Sequence, residues 1–520
     1  MSDHLFIVPG YSDEDFSFRP LRNLLVQRGL YKHENISSIE YASLDDQVDL
    51  HDFAAKLEDV FEDFLKHNPK CRIDVLAHST GSLVVRSWLY LRRLRQREEM
   101  LRSNSKTNLL DVPVEHLFLF APANFGSDLA VLGRSALNSV KVTFMKGLFR
   151  SATLKGNHDP FETGRKVLEA LEPGSPAQWN LSKGDLHEET YFGEHDDSGM
   201  CCYPFIFAAG KFKPTLLGLG IKELQKDGTD STVRVAGTSL NTRHFTLQSH
   251  PPGSSLPNAS IIIDNELIED NKRRKFSEIA FAIFSDYDHC GIINENGKYK
   301  KPKDPSQWPD WQEALGSQEW KPLEYLENAK KVTSIDEYAD VCSSFGLLTT
   351  NYISQRRPDL QVGVYQQFFF KVIDDTGQAV KDFFVAFKLG HTNSLGSFQE
   401  NEGLTSEFLK EFNDKSDLHY HKIDNSHAIL MLDLSTVSGF IADKLSMTDI
   451  QIALVVKAKS PYNGVGFHDA CFIIYDRNSD DSDNRYPSFF CPYTTTLVSI
   501  ILCRKVDESV LSHGTFAAGG

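Results

Sequence analysis

The run Ile73-Asp74-Val75-Leu76-Ala77-His78-Ser79-Thr80-Gly81-Ser82-Leu83-Val84-Val85-Arg86 changes character at its centre. Its first four residues read as a short buried strand, and Leu83, Val84, Val85 and Trp88 read as the start of a helix. Between them Ala77-His78-Ser79-Thr80-Gly81 holds a serine among small residues. A strand that reverses at once into a helix needs strained backbone angles and close packing, which small neighbours accept. The hydroxyl is then left projecting above the sheet at a helix N-terminus. Ser79 is the candidate nucleophile.

Outward from this stretch, Leu5-Phe6-Ile7-Val8 is an apolar run that stops at Pro9-Gly10, and His116-Leu117-Phe118-Leu119-Phe120 is another. Both read as buried strands. Phe53, Leu57, Val60, Phe61 and Phe64 recur at helical spacing opposite Glu58, Asp59, Glu62 and Asp63, so an amphipathic helix precedes the serine strand. Strand, helix and strand in that order imply a parallel sheet. After Phe120 the pattern loosens, and about 124–199 reads as a lid-like insertion containing the amphipathic stretch Val140 to Phe149. Strand character returns at Phe205 to Ala209, a helix-like segment is expected over Phe276 to Phe284, and this first region, 1–296, closes near Asn296.

Residues 297–355 read as a connector with a short helix near Ile335 to Phe345. Aromatic and β-branched runs then dominate 356–506. Val364 to Ile373 and Ala379 to Leu389 flank the hairpin signal Asp374-Asp375-Thr376-Gly377, and strand-like runs recur at Ile429, Ile452, Phe472 and Leu497. The expected class is α/β followed by a C-terminal antiparallel β-sandwich-like domain, with a disordered tail over 507–520. Asp476 to Asn484 is rich in oxygen ligands. Asp481 stands where a calcium loop of the EF-hand type needs glycine and Pro487 where it needs glutamate, so the stretch reads as an acidic turn and no metal is assigned.

A serine hydroxyl is a poor nucleophile until a base takes its proton, and a carboxylate must orient that base, in the chain order Ser, Asp, His for this topology. Asp230, in the turn Asp230-Ser231-Thr232-Val233, is the preferred acid, with Asp227 as its rival. His289 is the preferred base because it falls at the end of the first region, while His244 and His250 come earlier. His78 lies next to the nucleophile, where its side chain is directed elsewhere, so it reads as a packing or substrate-lining residue. The oxyanion would be held by the N–H of Thr80 at the helix start and the N–H of Tyr11 after the Pro9-Gly10 turn.

The elbow from Ala77 to Gly81, the following Leu83 to Arg86, the segment Ala121 to Ser127, the turn at Asp230 and the late His289 together resemble lipase-type α/β-hydrolases. The resemblance covers roughly the first 295 residues and extends to bacterial triacylglycerol lipases, lecithin-cholesterol acyltransferase-like enzymes and lipid-anchor deacylases. Two departures stand out: Pro9 where a histidine is common before the oxyanion glycine, and Ser231 where a glycine is common after the acid. The resemblance implies hydrolysis of carboxylic esters, with lipids favoured, through an acyl-enzyme and without a cofactor. A thioesterase, amidase or acyltransferase would use the same groups, and an inactive binding scaffold is the reading from another class; intact Ser79, Asp230 and His289 argue against it. In such relatives the lid covers an acyl pocket. Here its apolar residues are edged by Lys141, Lys146 and Arg150, which suits an anionic lipid surface as well as an internal core.

The composition narrows the partners. A formal charge of −16 over 520 residues disfavours nucleic acid, and the arginines at 92, 93, 95 and 97 crowd a helix-like segment that also carries Glu98 and Glu99, which reads as a solvated helix face. No apolar run approaches the ~20 residues of a membrane span, no secretory signal opens the chain, and eight scattered cysteines lack metal or disulfide spacing, so a cytoplasmic location is expected. The C-terminal domain is the expected surface for a membrane, a lipid carrier or a protein partner.

Overall fold

The computed structural model describes residues 3–11, 15–40, 45–103, 114–135, 164–186, 192–194, 201–212, 228–251, 259–263, 278–294, 320–354, 364–394, 396–413, 417–435, 450–460, 465–476 and 489–506. The stretch Val140 to Phe149, the alternative acid Asp227, the acidic turn after Asp476 and the tail from 507 lie outside them. The chain divides into two compact units. One comprises Met1–Thr242, Asp270–Val364 and Tyr493–Thr495; the other comprises Arg243–Glu269, Tyr365–Pro492 and Thr496–Gly520.

The first unit holds strands β1 (Asp3–Val8), β2 (Ile36–Ser38), β3 (Arg72–His78), β4 (Val114–Phe120), β5 (Gly193–Glu194) and β6 (Cys201–Ala209). The chain then leaves it for β7 (Arg243–Ser249) and β8 (Ala259–Ile263) of the second unit, and returns with β9 (Ala280–Phe284). The sheet order is β2-β1-β3-β4-β6-β5, with β9 also on β6. Every pairing is parallel except that of β5 with β6. Central parallel strands are covered on both faces, which is why they read as unbroken apolar runs. Phe118, Phe120, Phe205 and Phe207 are fully buried, and Phe120 stacks on Phe207 at 4.3 Å between ring centroids.

Helices α1 (Asp15–Gln27), α2 (Leu50–His67), α3 (Gly81–Ser103) and α4 (Asp128–Ser135) flank this sheet in sequence. At the start of α2, Asp49 accepts from the amides of His51 and Asp52, and Asp52 accepts in return from the Asp49 amide, which satisfies donors that a helix end otherwise leaves open. Its buried stripe of Phe53, Leu57 and Phe61 brings the Phe61 ring to 4.9 Å from Phe6 and 4.5 Å from Trp88. Glu58 is buried on the same stripe because Trp88 and Arg92 both donate to it. Arg92 is therefore an internal cross-link between α2 and α3, unlike the solvated face expected of it.

Two expectations are corrected here. The run Ile279 to Phe284 was expected to be helical and is β9, paired in parallel with β6 from Phe205↔Ala280 to Ala209↔Phe284. A short run with no polar residue has no period to separate strand from helix, and burial on both faces decides it. The connector expected over 297–355 belongs, in its described part, to the first unit: the helices Lys321–Ala329 and Ile335–Ser354 pack there, and Tyr338 donates its hydroxyl proton to the Pro204 carbonyl.

The second unit contains β10 (Tyr365–Asp374), β11 (Asp382–Thr392), β12 (Phe398–Glu400), β13 (Asp417–Tyr420), β14 (His427–Asp433), β15 (Gln451–Lys459), β16 (Val465–Phe467), β17 (Ala470–Asp476), β18 (Thr495–Leu502) and β19 (Arg504–Val506). One sheet runs β13-β14-β10-β18-β7-β8 and the other β12-β11-β15-β17. Their faces meet, with Phe368 of the first at 6.2 Å from Phe387 of the second and Tyr420 at 5.3 Å from Phe383. The β-sandwich expectation holds, but not every pairing is antiparallel: β18 pairs with β7 in parallel. That pairing also takes Arg243–Glu269 out of the region 1–296 to which the sequence assigned it. The turn after β10 forms as expected: Gly377 has φ +85°, and Asp374 Oδ1 accepts from the amides of Thr376 and Gln378. Beyond it β10 and β11 part into opposite sheets. No described helix is long and apolar enough to cross a membrane.

A buried charge cluster fastens the later helices to the sheet. Asp74 Oδ1 lies 2.6 Å from His116 Nδ1, and Oδ2 lies 2.8 Å from Lys330 Nζ and 2.5 Å from the Tyr31 hydroxyl. His116 Nε2 donates to the Val332 carbonyl at 2.8 Å. Burial pushes the Asp74 pKa up, but the hydrogen bond and charge of His116, with those of Lys330, hold it below its ordinary value of 3.8. Burial alone would lower His116, and Asp74 raises it above 6.5. The folded-state pKa of His116 is the higher one, so its stabilisation is complete below pH 6.5 and is lost as pH rises through the raised value. Asp74 acts in the opposite sense at the acid end. The stability difference between wild type and His116→Phe, measured by thermal denaturation, should therefore be largest between about pH 4 and 6.5 and shrink toward alkaline pH. Asp74→Ala strands two buried cations and should cost about 3–5 kcal/mol in the same assay.

Candidate active site

The turn at Ser79 sits where β3 ends. Ser79 has φ +52°, a left-handed conformation that costs a residue with a side chain roughly 1–2 kcal/mol. The surroundings hold it there: its amide donates to the Phe120 carbonyl at 3.1 Å, and its carbonyl accepts from Ala123 at 3.1 Å. Gly81 has to be glycine, because a Cβ there would lie 2.4 Å from the carbonyl oxygens of both Val8 and Pro9. Gly10 approaches as closely from the other side, where a Cβ would meet Ser79 Cβ at 3.0 Å. The turn after β1 is thus pressed against the elbow. Tyr11 follows it, half-buried, with its phenol pKa pushed up by burial and by the charge of Asp46. Thr80 is buried at the first turn of α3.

Ser79, Asp230 and His289, far apart in sequence, meet. His289 Nε2 lies 2.9 Å from Ser79 Oγ, and His289 Nδ1 lies 2.8 Å from Asp230 Oδ2. Asp230 can only accept when ionised, so the neutral imidazole carries its proton on Nδ1 and leaves Nε2 to accept from the serine. The second carboxylate oxygen of Asp230 accepts from the amides of Thr232 at 2.9 Å and Val233 at 2.8 Å, which orients the whole group. All three side chains are buried. Of the other candidates, His244 sits in β7 of the second unit, 2.8 Å from Ser499 Oγ, and His250 follows the same strand.

Side chains that the sequence reading gave no role tie the surrounding loops together. Arg86 is completely buried on α3, pairs with Asp185 at 2.6 Å, and reaches the Asn124 side-chain oxygen at 3.2 Å. Asn124 in turn donates to the Thr238 carbonyl at 2.7 Å. Ser127 Oγ donates to the Thr232 carbonyl beside Asp230, and Arg234 makes a two-point contact with Asp128 at 2.8 and 3.1 Å. The available signal was an arginine directly after Leu83-Val84-Val85, since a charge placed in an apolar run has to find a buried partner.

Among the described residues two groups have metal-ligand composition, and neither fits an ion. Asp49, His51 and Asp52 are used in the cap of α2. Asp74, Glu115 and His116 are neutralised by Lys330 and Arg72, so a divalent cation would face resident cations.

A mostly parallel sheet with a strained turn at Ser79 after β3, met by Asp230 from after β6 and His289 from after β9, is the α/β-hydrolase fold. Among solved structures, phospholipase PlaB from Legionella pneumophila is similar at 21% identity and a TM-score of 0.70, with 100% of this chain and 97% of that chain covered. The same phospholipase in complex with thio-NAD is similar at 20% identity, with the same TM-score and coverage. Lipase BlEst2 of Bacillus licheniformis, in mature form, matches 46% of this chain and 79% of that one at 11% identity and a TM-score of 0.28. No family model and no curated protein matches the chain. The likeness to PlaB covers both units, so the shared fold includes the β unit.

Ser231, the departure from glycine after the acid, has φ +83°. Glycine takes this conformation without penalty, so Ser231→Gly should raise stability by about 1 kcal/mol in chemical denaturation while the acid turn is retained.

Proposed function

We propose that this protein is a serine hydrolase of carboxylic esters, with lipid acyl esters as its substrate class. The observation that carries the reading is the continuous chain of contacts from Asp230 through His289 to Ser79 at 2.8 and 2.9 Å. Ser79 Oγ attacks the ester carbonyl while His289 Nε2 takes its proton, and Asp230 stabilises the resulting imidazolium. The oxyanion is held by the Thr80 amide and the Tyr11 amide. The alcohol leaves with the proton from His289, and water then resolves the acyl-enzyme by the same steps in reverse order. No cofactor enters this scheme.

A phospholipid substrate is favoured by the likeness to PlaB over the whole chain. A cytoplasmic location, where cysteines stay reduced, suits the eight scattered cysteines. The membrane surface is the partner this reading requires at the moment of substrate capture.

The test is hydrolysis of aryl esters of graded acyl length and of phospholipid vesicles by wild type and Ser79→Ala, alongside labelling by a fluorophosphonate. Activity should grow with acyl length, fall by at least about 10³-fold in Ser79→Ala, and be matched by covalent labelling of Ser79 alone. Labelling without ester turnover would move the reading to thioesters or amides. Absence of both, with detergent present, would favour a binding scaffold.

A further inference from the structure

His78 is buried beside the nucleophile, and the reaction scheme above gives it no task. Its Nε2 lies 2.9 Å from the main-chain carbonyl oxygen of His289. A carbonyl can only accept, so His78 donates through Nε2–H. On the opposite edge its Nδ1 faces the turn after β1, where a Cβ on Gly10 would come within 3.5 Å of it. The rings of His78 and His289 are 4.9 Å apart and inclined at 44°.

The main chain of His289 is held on its other side as well, because its amide donates to the Asp230 carbonyl at 3.3 Å. All four polar positions of the base therefore have partners from the elbow or the acid turn. The amide and Nδ1 go to Asp230, the carbonyl to His78 and Nε2 to Ser79. His78 is bonded covalently to Ser79 and by a hydrogen bond to the peptide of His289, so it spans the two groups whose separation governs proton transfer.

We infer that His78 is a positioning residue that clamps the backbone of His289 to the nucleophile elbow and sets the distance from Ser79 to His289. Its role as a lining residue of the acyl pocket is the alternative that the experiment must exclude. The kinetic part of the inference rests on the ester-hydrolase reading; the structural part does not.

The discriminating pair is His78→Phe, which keeps an aromatic ring and removes the donor, and His78→Gln, whose amide nitrogen reaches about as far from the backbone as Nε2. Two quantities are read on the full chain: kcat and KM for an aryl ester, and hydrogen–deuterium exchange of peptides spanning 285–294. His78→Phe should lower kcat on the order of 10²-fold with KM unchanged within about twofold, as a displacement near 1 Å does, and should speed exchange in 285–294. His78→Gln should recover most of both. Unchanged exchange in His78→Phe, a loss carried by KM alone, or a glutamine no better than phenylalanine would overturn the clamp. A wild type without ester turnover would sink the hydrolase reading, and the exchange comparison would still decide the clamp by itself.

Discussion

The contact between Gly81 and the carbonyl oxygens of Val8 and Pro9 is the constraint on which the rest of the first unit depends. It requires β1 and β3 to be neighbours in exact register, Val8 opposite Ala77, and it lets α3 begin without a side chain at its closest approach to the sheet. The left-handed turn at Ser79 is tolerable only because the Phe120 and Ala123 main chain holds both sides of the serine peptide. The turn at Ser79 and the turn after β1 are consequently packed as one piece. Asp230 and His289 are brought to that piece by the segments after β6 and β9, which are tied to each other by the hydrogen bond from the His289 amide to the Asp230 carbonyl.

Several of the buried charges among the described residues of this unit are paired. Arg86 with Asp185 and Arg234 with Asp128 join the loops around the serine, while Asp74 with Lys330 and His116 fastens the later helices near the starts of β3 and β4. Buried pairs repay their desolvation only in good geometry, so they contribute less to net stability than to choosing one arrangement of loops over others. For a site whose hydrogen bonds must align within a few tenths of an ångström, that choice is the useful property.

How far the sequence reveals this follows from which forces are local. The turn at Ser79 was legible because a strained turn leaves a compositional trace in Ala77, Thr80 and Gly81, and the meeting of Asp230 and His289 with Ser79 was legible because chain order limits where partners of such a serine can fall. The helix at 50–67 was legible from its 3.6-residue period. The strand Ala280–Phe284 was misread because an unbroken apolar run has no period, and the true boundary at Arg243 was hidden because strand pairing with a segment near 500 leaves no mark in residues 243–249 themselves. The turn at Asp374 to Gly377 was read correctly, yet local turn chemistry could not show that its two strands would enter different sheets. The partners of Arg86 lie 38 and 99 residues away, beyond any local pattern.

The pairing of β7 with β18 also bears on the order in which the molecule can be made. His244 meets its hydrogen-bond partner Ser499 only 255 residues later in the chain. At ribosomal speeds of about 5–20 residues per second, that is a wait of roughly 13–50 s. Through this interval the β7 edge lacks the strand that covers it in the folded chain, while the sheet of the first unit can close around β9. Asp230 and His289 of one unit are thus synthesised on either side of a segment whose own home does not yet exist, so nascent chains would gain from a chaperone that shields that edge until the last strand arrives.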